Sequence, residues 1–398
     1  MAMGLSSLGG GLMGAVGGGS GLTYSSVQNK YQDFGYPQAE ILLGNTPFAS
    51  KGEQMIINDI SVELTSGFEA SIARFRIYNV FNSDTGKFKY EDIKKQVILG
   101  TSLTIKLGYV GVLKTVFVGF VAEVNFGFDP SDLPYIEVTG MDVKGIMMAN
   151  NYSYQLTAKN YGDAVEEVLR RTAYEKLRGG ASITDIKVTA TPDKKQKPPA
   201  ADPFTIEMVS ESDYEFVVKA AKKLNYEFFT ECGTVYFRKA KSNKDKLMTL
   251  KVGAGIISFD VRYSITGLVQ SIEARAMDAG NGKLITSKSD FSNNVSTKGT
   301  AKGLFGKTKK VYIDPSINSQ EDADARVASL METMSYRLGE LDCQCVGIPE
   351  LLPGYFIELD GLGSPVDNTF YLTSVIHEYG NQLGYRTKIK GKTAEVKK

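Results

Sequence analysis

Short segments of alternating apolar and polar residues, separated by turn residues, constrain the fold of this chain more than any other feature. In residues 59–65, Ile60, Val62 and Leu64 alternate with polar neighbours, which predicts a half-buried strand. Similar segments, bounded by Gly, Asn, Asp or Pro, occupy residues 70–80, 101–109, 113–125, 135–140, 246–252, 256–263, 268–278, 341–346, 355–359, 370–379 and 384–390. Such a series predicts an antiparallel β-barrel or β-sandwich.

Three segments have helical periodicity instead. The first begins at Asn160, and we expect Gly179 and Gly180 to end it. The second begins at Ser212, which forms a capping box with Glu215, and a predicted hairpin over residues 226–238 follows it. The third covers residues 319–338 and ends at Gly339, and residues 90–95 predict a further short helix or turn. The chain is therefore predicted to be β-rich with a central α/β region.

The composition excludes several classes of protein. Lys and Arg total 46 and Asp and Glu total 45, so the net charge of +1 gives no basic excess for specific nucleic-acid binding. No apolar run is long enough to cross a membrane, and the first residues do not resemble a signal peptide. We therefore expect a protein made in the cytoplasm that does not insert into a membrane by itself.

The residues that could carry chemistry are few. His377 is the only histidine and lies on a predicted strand without a second ligand or an acid–base companion, so we interpret it as a structural or interface residue. Cys343 and Cys345 are two residues apart, which places both on one face of a strand and suits neither a redox pair nor a zinc knuckle. With Cys232 they are predicted to be half-buried reduced thiols. The sequence thus predicts no catalytic, cofactor or metal site.

Clusters of charged residues also have ordinary explanations. The acidic residues Glu166 and Glu167, and Glu321, Asp322 and Asp324, lie near predicted helix starts, where the helix dipole favours negative charge. Lys307, Lys309 and Lys310 border a segment rich in Lys, Ser and Gly, residues 280–310, that predicts a long mobile loop.

These patterns divide the chain into four parts. Residues 1–38 form a Gly-rich N-terminal segment that we expect to be flexible or to dock against a partner. Residues 39–150 and 246–398 are the two strand-rich parts, and residues 151–245 are the α/β part between them, which contains a polar loop at 191–202. The two strand-rich parts are predicted to share one barrel topology with different loops.

Two stretches resemble the phage late control D family of baseplate hub proteins. Residues 211–229 read ESDYEFVVKAAKKLNYEFF and residues 233–238 read GTVYFR, similar to the family's E-S-D-x-x-F-L-x-x-L-A-x-x-x-G-Y-x-F helix and its hairpin ending G-x-L-x-F. Asn225 replaces the family's glycine, and Asn also tolerates the left-handed backbone.

The second stretch resembles the closing barrel of the same family. Residues 347–361 read GIPELLPGYFIELDG, followed by FYLTSVIHEY at 370–379 and GYRT at 384–387. The family pattern is G-x-P-x-L-x-P-G and a strand, then Y-x-V-x-x-V-x-H and G-Y-x-T. Phe370 and Leu372 replace the family's Tyr and Val, whereas Val375 and His377 match. The order agrees from Ser212 to the C-terminus, and the first barrel fits more loosely.

The resemblance implies a structural protein without enzymatic activity. It implies a β-rich α+β protomer with two tube-like antiparallel β-barrels and an inserted α/β region, which assembles as a homotrimeric ring. Its expected partners are the central spike protein, the tail tube protein and other baseplate proteins, in a virion assembled in the host cytoplasm. The ring would match a threefold spike to a sixfold tube and line part of the central channel. Because the sequence ends soon after the second barrel, the piercing tip is expected on another polypeptide.

Two alternatives remain open at the level of the sequence. The first is the hub of a bacterial contractile secretion or injection system that loads effectors, which has the same fold. The second is a tail-associated cell-wall hydrolase, which rests only on carboxylates being common.

Overall fold

The computed structural model describes residues 22–48, 55–149, 151–171, 174, 183–191, 206–278, 282–291, 306–315 and 317–397. Within these ranges the chain is β-rich, with five α-helices and twenty-three strands. The helices are α1 (Tyr24–Lys30), α2 (Lys144–Met147), α3 (Tyr161–Leu169), α4 (Asp213–Leu224) and α5 (Gln320–Ser335). Short 3₁₀ helices lie at Gln32–Phe34 and Tyr90–Asp92, the second inside the segment predicted as a helix or turn.

Each segment predicted from alternation contains a strand, and the structure adds strands that the alternation did not indicate, among them Pro37–Leu43, Tyr152–Leu156, Asp185–Val188 and Ile206–Glu211. In the first part of the chain they are β1 (Pro37–Leu43), β2 (Thr46–Pro47), β3 (Ile56–Thr65), β4 (Ile72–Tyr78), β5 (Phe81–Asn82), β6 (Lys87–Phe88), β7 (Ser102–Tyr109), β8 (Val112–Gly127) and β9 (Tyr135–Met141). The central strands are β10 (Tyr152–Leu156), β11 (Asp185–Val188), β12 (Ile206–Glu211), β13 (Tyr226–Glu231) and β14 (Thr234–Lys239). The last are β15 (Lys246–Val252), β16 (Gly255–Tyr263), β17 (Ser271–Asp278), β18 (Lys283–Asp290), β19 (Lys309–Ile313), β20 (Gly339–Val346), β21 (Phe356–Leu359), β22 (Thr369–Gly380) and β23 (Gly384–Thr393).

Six strands near the C-terminus form a closed barrel. Their pairing order is β15, β21, β22, β23, β20 and β16, and β16 pairs again with β15. Inward-facing residues such as Leu341, Val375 and Ile389 fill the barrel and are almost completely buried. A closed barrel leaves no free sheet edge, so every strand in it satisfies backbone hydrogen bonds on both sides.

Six strands of the first part follow the same order. The main pairing order there is β1, β7, β8, β9, β4 and β3. Numbered along the chain, both sets therefore have the order first, fourth, fifth, sixth, third, second. Two differences remain: among the described residues no pairing joins β1 to β3, and β1 is antiparallel to β7 whereas β15 is parallel to β21.

The parallel pairings of β15 correct the expectation of a purely antiparallel barrel. β15 pairs in parallel with both β21 and β16, and the register joins Lys251 to Gly255. A tight turn separates β15 from β16: the backbones of Lys251 and Ala254 exchange hydrogen bonds at 3.3 and 3.0 Å, and Gly253 and Gly255 take positive φ values of 79° and 100°. The strand-rich parts are joined by antiparallel pairing of β3 with β22 and share one hydrophobic core.

The central α/β unit has its own core. Helix α4 packs on the β13–β14 hairpin, β11 extends that hairpin in parallel, and β10 pairs with β12. Val165, Val217, Phe228 and Phe237 are buried at its centre. The core also includes Val143 and Met147, so its packing begins before residue 150.

The prediction of a long loop over residues 280–310 is wrong for a large part of that segment. Residues 283–290 form β18 and residues 309–310 begin β19, and both strands pair with β17. The strands escape a pattern-based prediction because only one face of this small sheet is buried, against α5, and the polar residues of β18 line the open face. Residues 292–305 lie outside the described residues, as do nearly all of the predicted loop at 191–202 and the whole of the Gly-rich stretch 1–21.

The helix ends also differ from expectation. Helix α3 ends at Leu169, ahead of Gly179 and Gly180, which lie outside the described residues. Helix α5 ends at Ser335, and Gly339 starts β20. Val327, Met331 and Met334 of this helix are buried, and Leu330 is half-buried.

The capping box of α4 is confirmed. The Ser212 hydroxyl accepts a hydrogen bond from the Glu215 amide at 3.1 Å, and the Glu215 carboxylate accepts one from the Ser212 amide at 2.8 Å. Asn225 ends the helix in the left-handed conformation expected of the residue that replaces glycine there, with φ 57°.

We expect Ser212→Ala to lower the free energy of unfolding by about 1 kcal/mol, because it leaves an amide of the first helical turn without its acceptor. Ser242→Ala is the matched control, since Ser242 is exposed and lies in a turn. Urea unfolding followed by circular dichroism measures both variants. Equal midpoints for the two would show that the capping box contributes nothing.

Candidate functional site

The two stretches that carry the family resemblance meet in the folded chain. One contains the β13–β14 hairpin, and the other begins with residues 347–355, which we name the central loop. Arg238 of β14 donates a hydrogen bond from Nη2 to the Gly354 carbonyl at 2.5 Å, and Tyr355 donates from its hydroxyl to Glu231 Oε2 at 2.8 Å. The sequence indicated the two stretches separately, but their contact became visible only in the structure.

Gly354 shows how closely the hairpin approaches. Its φ is +90°, a conformation that disfavours any side chain, and an added Cβ would lie 2.9 Å from Cζ of Phe229 on β13. The Gly354 amide also donates to the Leu372 carbonyl at 2.9 Å. Glycine is therefore required here both for the backbone turn and for the contact with the hairpin.

A buried charged network lies beside this contact. Glu227 of β13 accepts hydrogen bonds from Arg238 Nε at 3.2 Å, from the Lys241 amide at 3.0 Å and from the Tyr371 hydroxyl. The side chains of Glu227 and Arg238 are only 8% and 12% exposed. Three donors for one carboxylate offset the cost of removing that charge from water.

The pKa values in this network follow from burial and pairing. Burial opposes the charge on Arg238, but the neighbouring Glu227 carboxylate and Tyr371 hold its pKa above the ordinary value. Burial, and then the Glu227 charge, raise the pKa of Tyr371, so its hydroxyl remains a donor. Burial likewise raises the pKa of Glu231, whereas the bond from Tyr355 favours its charged form.

The hairpin turn also reaches the first strand-rich part. The sulfur of Cys232 lies 3.1 Å from the carbonyl oxygen of Thr115 on β8. Burial raises the pKa of this thiol to about 12, so it stays protonated at neutral pH.

Cys343 and Cys345 do share one face of β20, with their sulfur atoms 3.6 Å apart, but they are fully buried and not half-buried as predicted. Both point into the barrel interior, where a small apolar side chain packs well.

His377 is completely buried beneath the central loop. Its Nε2 lies 3.2 Å from the Leu351 carbonyl, and its Nδ1 lies 2.9 Å from the Tyr385 hydroxyl and 3.2 Å from Thr387 Oγ1. Because a carbonyl only accepts, Nε2 carries the proton, and the single lone pair of Nδ1 accepts from the nearer Tyr385 hydroxyl. Burial lowers the pKa of His377 to about 3, so the ring is neutral at physiological pH. This arrangement fits the predicted structural role; the dispensability of His377 for any chemistry stays a prediction.

The N-terminal helix holds the same loop from another side. Lys30 Nζ lies 2.7 Å from Glu350 Oε1, and the Tyr31 hydroxyl donates to the same oxygen at 2.8 Å. Tyr109 of β7 donates to the Gly347 carbonyl at 2.9 Å. Residues 24–31 thus belong to the folded core, although they fall inside the segment 1–38 that we expected to be flexible or to dock.

The remaining predicted clusters do not converge. Glu166 pairs with Arg170 at 2.8 Å and Glu167 accepts from Thr157 at 3.1 Å, so local partners and not the helix start account for them. Asp324 accepts from Ser287, and Lys309 pairs with Glu273. Within the described ranges, no group of three or more His, Cys, Asp or Glu side chains is placed to hold a metal ion. No helix there has the length and apolar character that a membrane crossing requires.

Comparisons with known proteins address the family and the fold. The family model described as "Alg8 N-terminal domain" matches residues 70–381. This description names neither a tail nor a hub, so the assignment to the late control D family stays a prediction. No curated protein sequence matches the chain significantly.

Solved structures with the same fold come from bacteriophage tails and secretion machines. A tail protein from Neisseria meningitidis MC58 aligns with TM-score 0.63 and 11% identity, over 90% of this chain and 97% of that one. A 43 kDa tail protein of prophage MuSo2 from Shewanella oneidensis aligns with TM-score 0.65 and 14% identity, over 90% and 98%. An E. coli protein described as a component of the type VI secretion system, similar in structure to the T4 phage tail proteins gp27 and gp5, aligns with TM-score 0.52 and 11% identity, over 90% and 79%. At these identities the likeness establishes the fold alone.

We expect Arg238→Ala to lower the free energy of unfolding by about 3–5 kcal/mol, because it leaves the buried Glu227 carboxylate without its cation. Arg262→Ala is the matched control. The side chains of Arg262 and Glu340, which form an ion pair, are 71% and 44% exposed, so this pair should contribute less than about 1 kcal/mol. Chemical denaturation at neutral pH compares the two variants. A similar small loss for both would contradict a stabilising role for the buried network.

We also expect His377 to make stability depend on pH. Its pKa is about 3 in the folded chain, against about 6.5 in the unfolded chain, so between these values only the unfolded chain binds the proton. The free energy of unfolding should therefore fall by about 1.4 kcal/mol for each pH unit below pH 6.5, in addition to any change that other titrating groups cause. In His377→Gln this slope should be absent. Urea unfolding at pH 7, 6 and 5 gives the difference, and parallel slopes for the two proteins would refute the assignment.

Proposed function

This chain belongs to the Alg8 N-terminal domain family. We propose that it is a structural hub protein in the baseplate of a contractile phage tail. In this proposal the late control D resemblance is correct and the chain is not an enzyme. Three copies form a ring, with the spike protein on one side and the tail tube protein on the other. The ring adapts the threefold spike to the sixfold tube and lines part of the channel.

The repeated strand order carries the proposal. One chain contains two sets of six strands with the same order, one closed into a barrel and the other joined to it through β3 and β22. If both sets act as tube-like barrels, three chains present six similar units around one axis. This duplication supplies a geometric solution to joining threefold and sixfold partners, because each chain occupies two of the six positions.

The domain division fits the same proposal. The strand-rich parts at 39–150 and 246–398 are the ring-forming units, and the α/β part at 151–245 is an insertion held against the second barrel by the Glu227–Arg238 network. The Gly-rich segment at the start would meet a neighbouring protein. The residues argued above to be structural, including His377, then have no catalytic duty.

A secretion-machine hub is the second candidate. The similarity to the E. coli protein described as a type VI secretion component supports it, since the fold is common to both kinds of machine. A hub that loads effectors would retain an effector protein through purification of the assembled complex, whereas a phage hub would be purified with tail tube and spike. Mass spectrometry of the purified particle separates these two candidates.

We expect three copies of the chain in one ring of the assembled particle. Permanent ring interfaces of this kind commonly bury more than about 2,000 Å² in total, which requires contacts along whole barrel faces. Cryo-electron microscopy of the particle, or native mass measurement of the isolated ring, gives the copy number. Six equivalent copies in one ring, or a single copy, would overturn the hub proposal.

A cell-wall hydrolase is tested separately. We expect purified protein to leave the turbidity of a peptidoglycan suspension unchanged over the time in which lysozyme clears it. Robust clearing by the purified chain would contradict a purely structural function.

A further inference from the structure

A short segment crosses the junction between the two strand-rich parts. The Leu22 amide donates a hydrogen bond to the Leu247 carbonyl of β15 at 2.9 Å, and Leu22 lies beside Met248 in a parallel bridge. Helix α1 follows at once, and β1 of the first strand-rich part begins at Pro37. The segment therefore leads from the closed barrel, over the central loop, into the other strand-rich part. We name residues 22–31 the strap.

A small set of contacts holds the strap in place. Val27 and Tyr31 of α1 are buried, and the Tyr31 ring lies 5.6 Å from the Tyr109 ring between centroids. Lys30 and the Tyr31 hydroxyl both bind Oε1 of Glu350, at 2.7 and 2.8 Å. The other oxygen of Glu350, Oε2, is buried and accepts no hydrogen bond from the described residues. Closure thus buries apolar side chains but leaves half of a buried carboxylate without a protein donor, which opposes it.

The backbone that joins the strap to β1 is strained. We name residues 32–36 the hinge. Its positive φ values lie between 47° and 58° at four non-glycine positions, namely Gln32, Asp33, Phe34 and Tyr36. These are four of the twelve non-glycine residues with positive φ in the described part of the chain, so strain is concentrated here. Left-handed backbone is unfavourable for residues with a Cβ, and the one glycine of the hinge, at φ −73°, has no need of its freedom.

The strain in the hinge depends on the position of the strap. Unfavourable φ values persist only where surrounding contacts impose them. The contacts in this region hold the closed arrangement: Gln28 of α1 donates to Asp33 Oδ1 at 2.9 Å, and the Phe34 ring lies 5.3 Å from Tyr109 between centroids. Tyr36, at the far end, is 83% exposed. If the strap leaves the junction, these contacts are lost and the hinge is free to relax.

We propose that the strap is a latch with two states, closed over the junction and released as a unit by rotation about the hinge. Burial of Val27 and Tyr31 and the ion pair with Glu350 favour the closed state, whereas hinge strain favours release. Release uncovers the Tyr109 ring and the Glu350 carboxylate, so a partner that binds these groups reaches them only in the open state. The latch is a property of one chain, so it goes beyond the hub proposal and does not depend on it.

Fraying of a terminal segment is the competing explanation. A frayed segment loses order progressively from one end, because nothing fixes that end. The strap is instead attached at both of its ends, through the Leu22 amide on β15 and through Tyr31 on the central loop. A latch therefore predicts that both attachments open together, at a free-energy cost below that of global unfolding.

Thiol labelling of the full chain measures the opening. Val27→Cys places a thiol under the strap, and Val375→Cys, in the barrel interior, is the matched control because both valines are buried. We expect a maleimide to label Val27→Cys about a hundredfold faster than Val375→Cys, because local opening requires less free energy than unfolding of the barrel. Peptide mass spectrometry locates the label and separates it from the native cysteines. Equal rates at the two positions would overturn the latch.

A substitution in the hinge tests the role of strain. Gln32 is exposed and has φ 47°, so Gln32→Gly relieves strain in the closed state whereas Gln32→Ala retains it. In the Val27→Cys protein we expect the glycine variant to be labelled about fivefold more slowly than the alanine variant. Glycine also gives the open chain more conformational freedom, which acts in the opposite direction, so slower labelling reports strain relief. Labelling that is equally fast or faster with glycine would contradict a strained hinge.

Hydrogen exchange shows whether the strap moves as one unit. Tyr31→Phe keeps the ring but removes a donor to a buried carboxylate, which should accelerate exchange of the Leu22 amide and of the amide at position 31 about tenfold each. The Phe216 amide, bonded to the Ser212 carbonyl in α4, is the internal control and should not change. Acceleration at position 31 alone, or at neither position, would show that the two attachments are independent and that the strap is not a latch.

Discussion

The central loop, residues 347–355, is the place where four separate parts of the chain meet. Four different elements hold it: α1 through Glu350, β7 through Tyr109, β14 through Arg238, and the barrel strands through His377. A loop buried at such a junction has backbone groups that water cannot reach, so every one of these partners offsets a desolvation cost. The loop thus joins the N-terminal helix, the first strand-rich part, the α/β unit and the barrel.

The buried ion pair at this junction contributes more to the specificity of packing than to the free energy of unfolding. The Glu227–Arg238 pair is nearly buried and surrounded by the Tyr371 hydroxyl and the Gly354 carbonyl. A buried ion pair gains little net free energy over an apolar substitute, but it strongly disfavours any docking that leaves one charge unpaired. We infer that the network fixes how the hairpin sits on the barrel.

The outer surfaces contrast with this interior. Most ion pairs there are exposed, such as Arg262 with Glu340, and contribute little to folding.

The sequence by itself determined most local structure. Alternation located most strands of the two strand-rich parts but missed β1, β2, β5 and β6, and the capping box and Asn225 marked both ends of α4. These features succeed because they depend on residues close in the chain. The sequence failed for β18 and β19, where a polar face conceals the alternation, and for the ends of α3 and α5.

Only the tertiary structure decided which strands pair and what the buried groups do. Nothing local indicates that β15 pairs with β21, that β3 joins β22, or that Arg238 reaches Gly354 across more than a hundred residues. The neutral state of His377 likewise comes from burial by distant segments. The hydrophobic period of a strand or helix and the residues of a turn depend on neighbours in the chain, so the sequence reveals them. Strand pairing, burial and pKa values depend on contacts between residues far apart in the chain, so only the complete fold determines them.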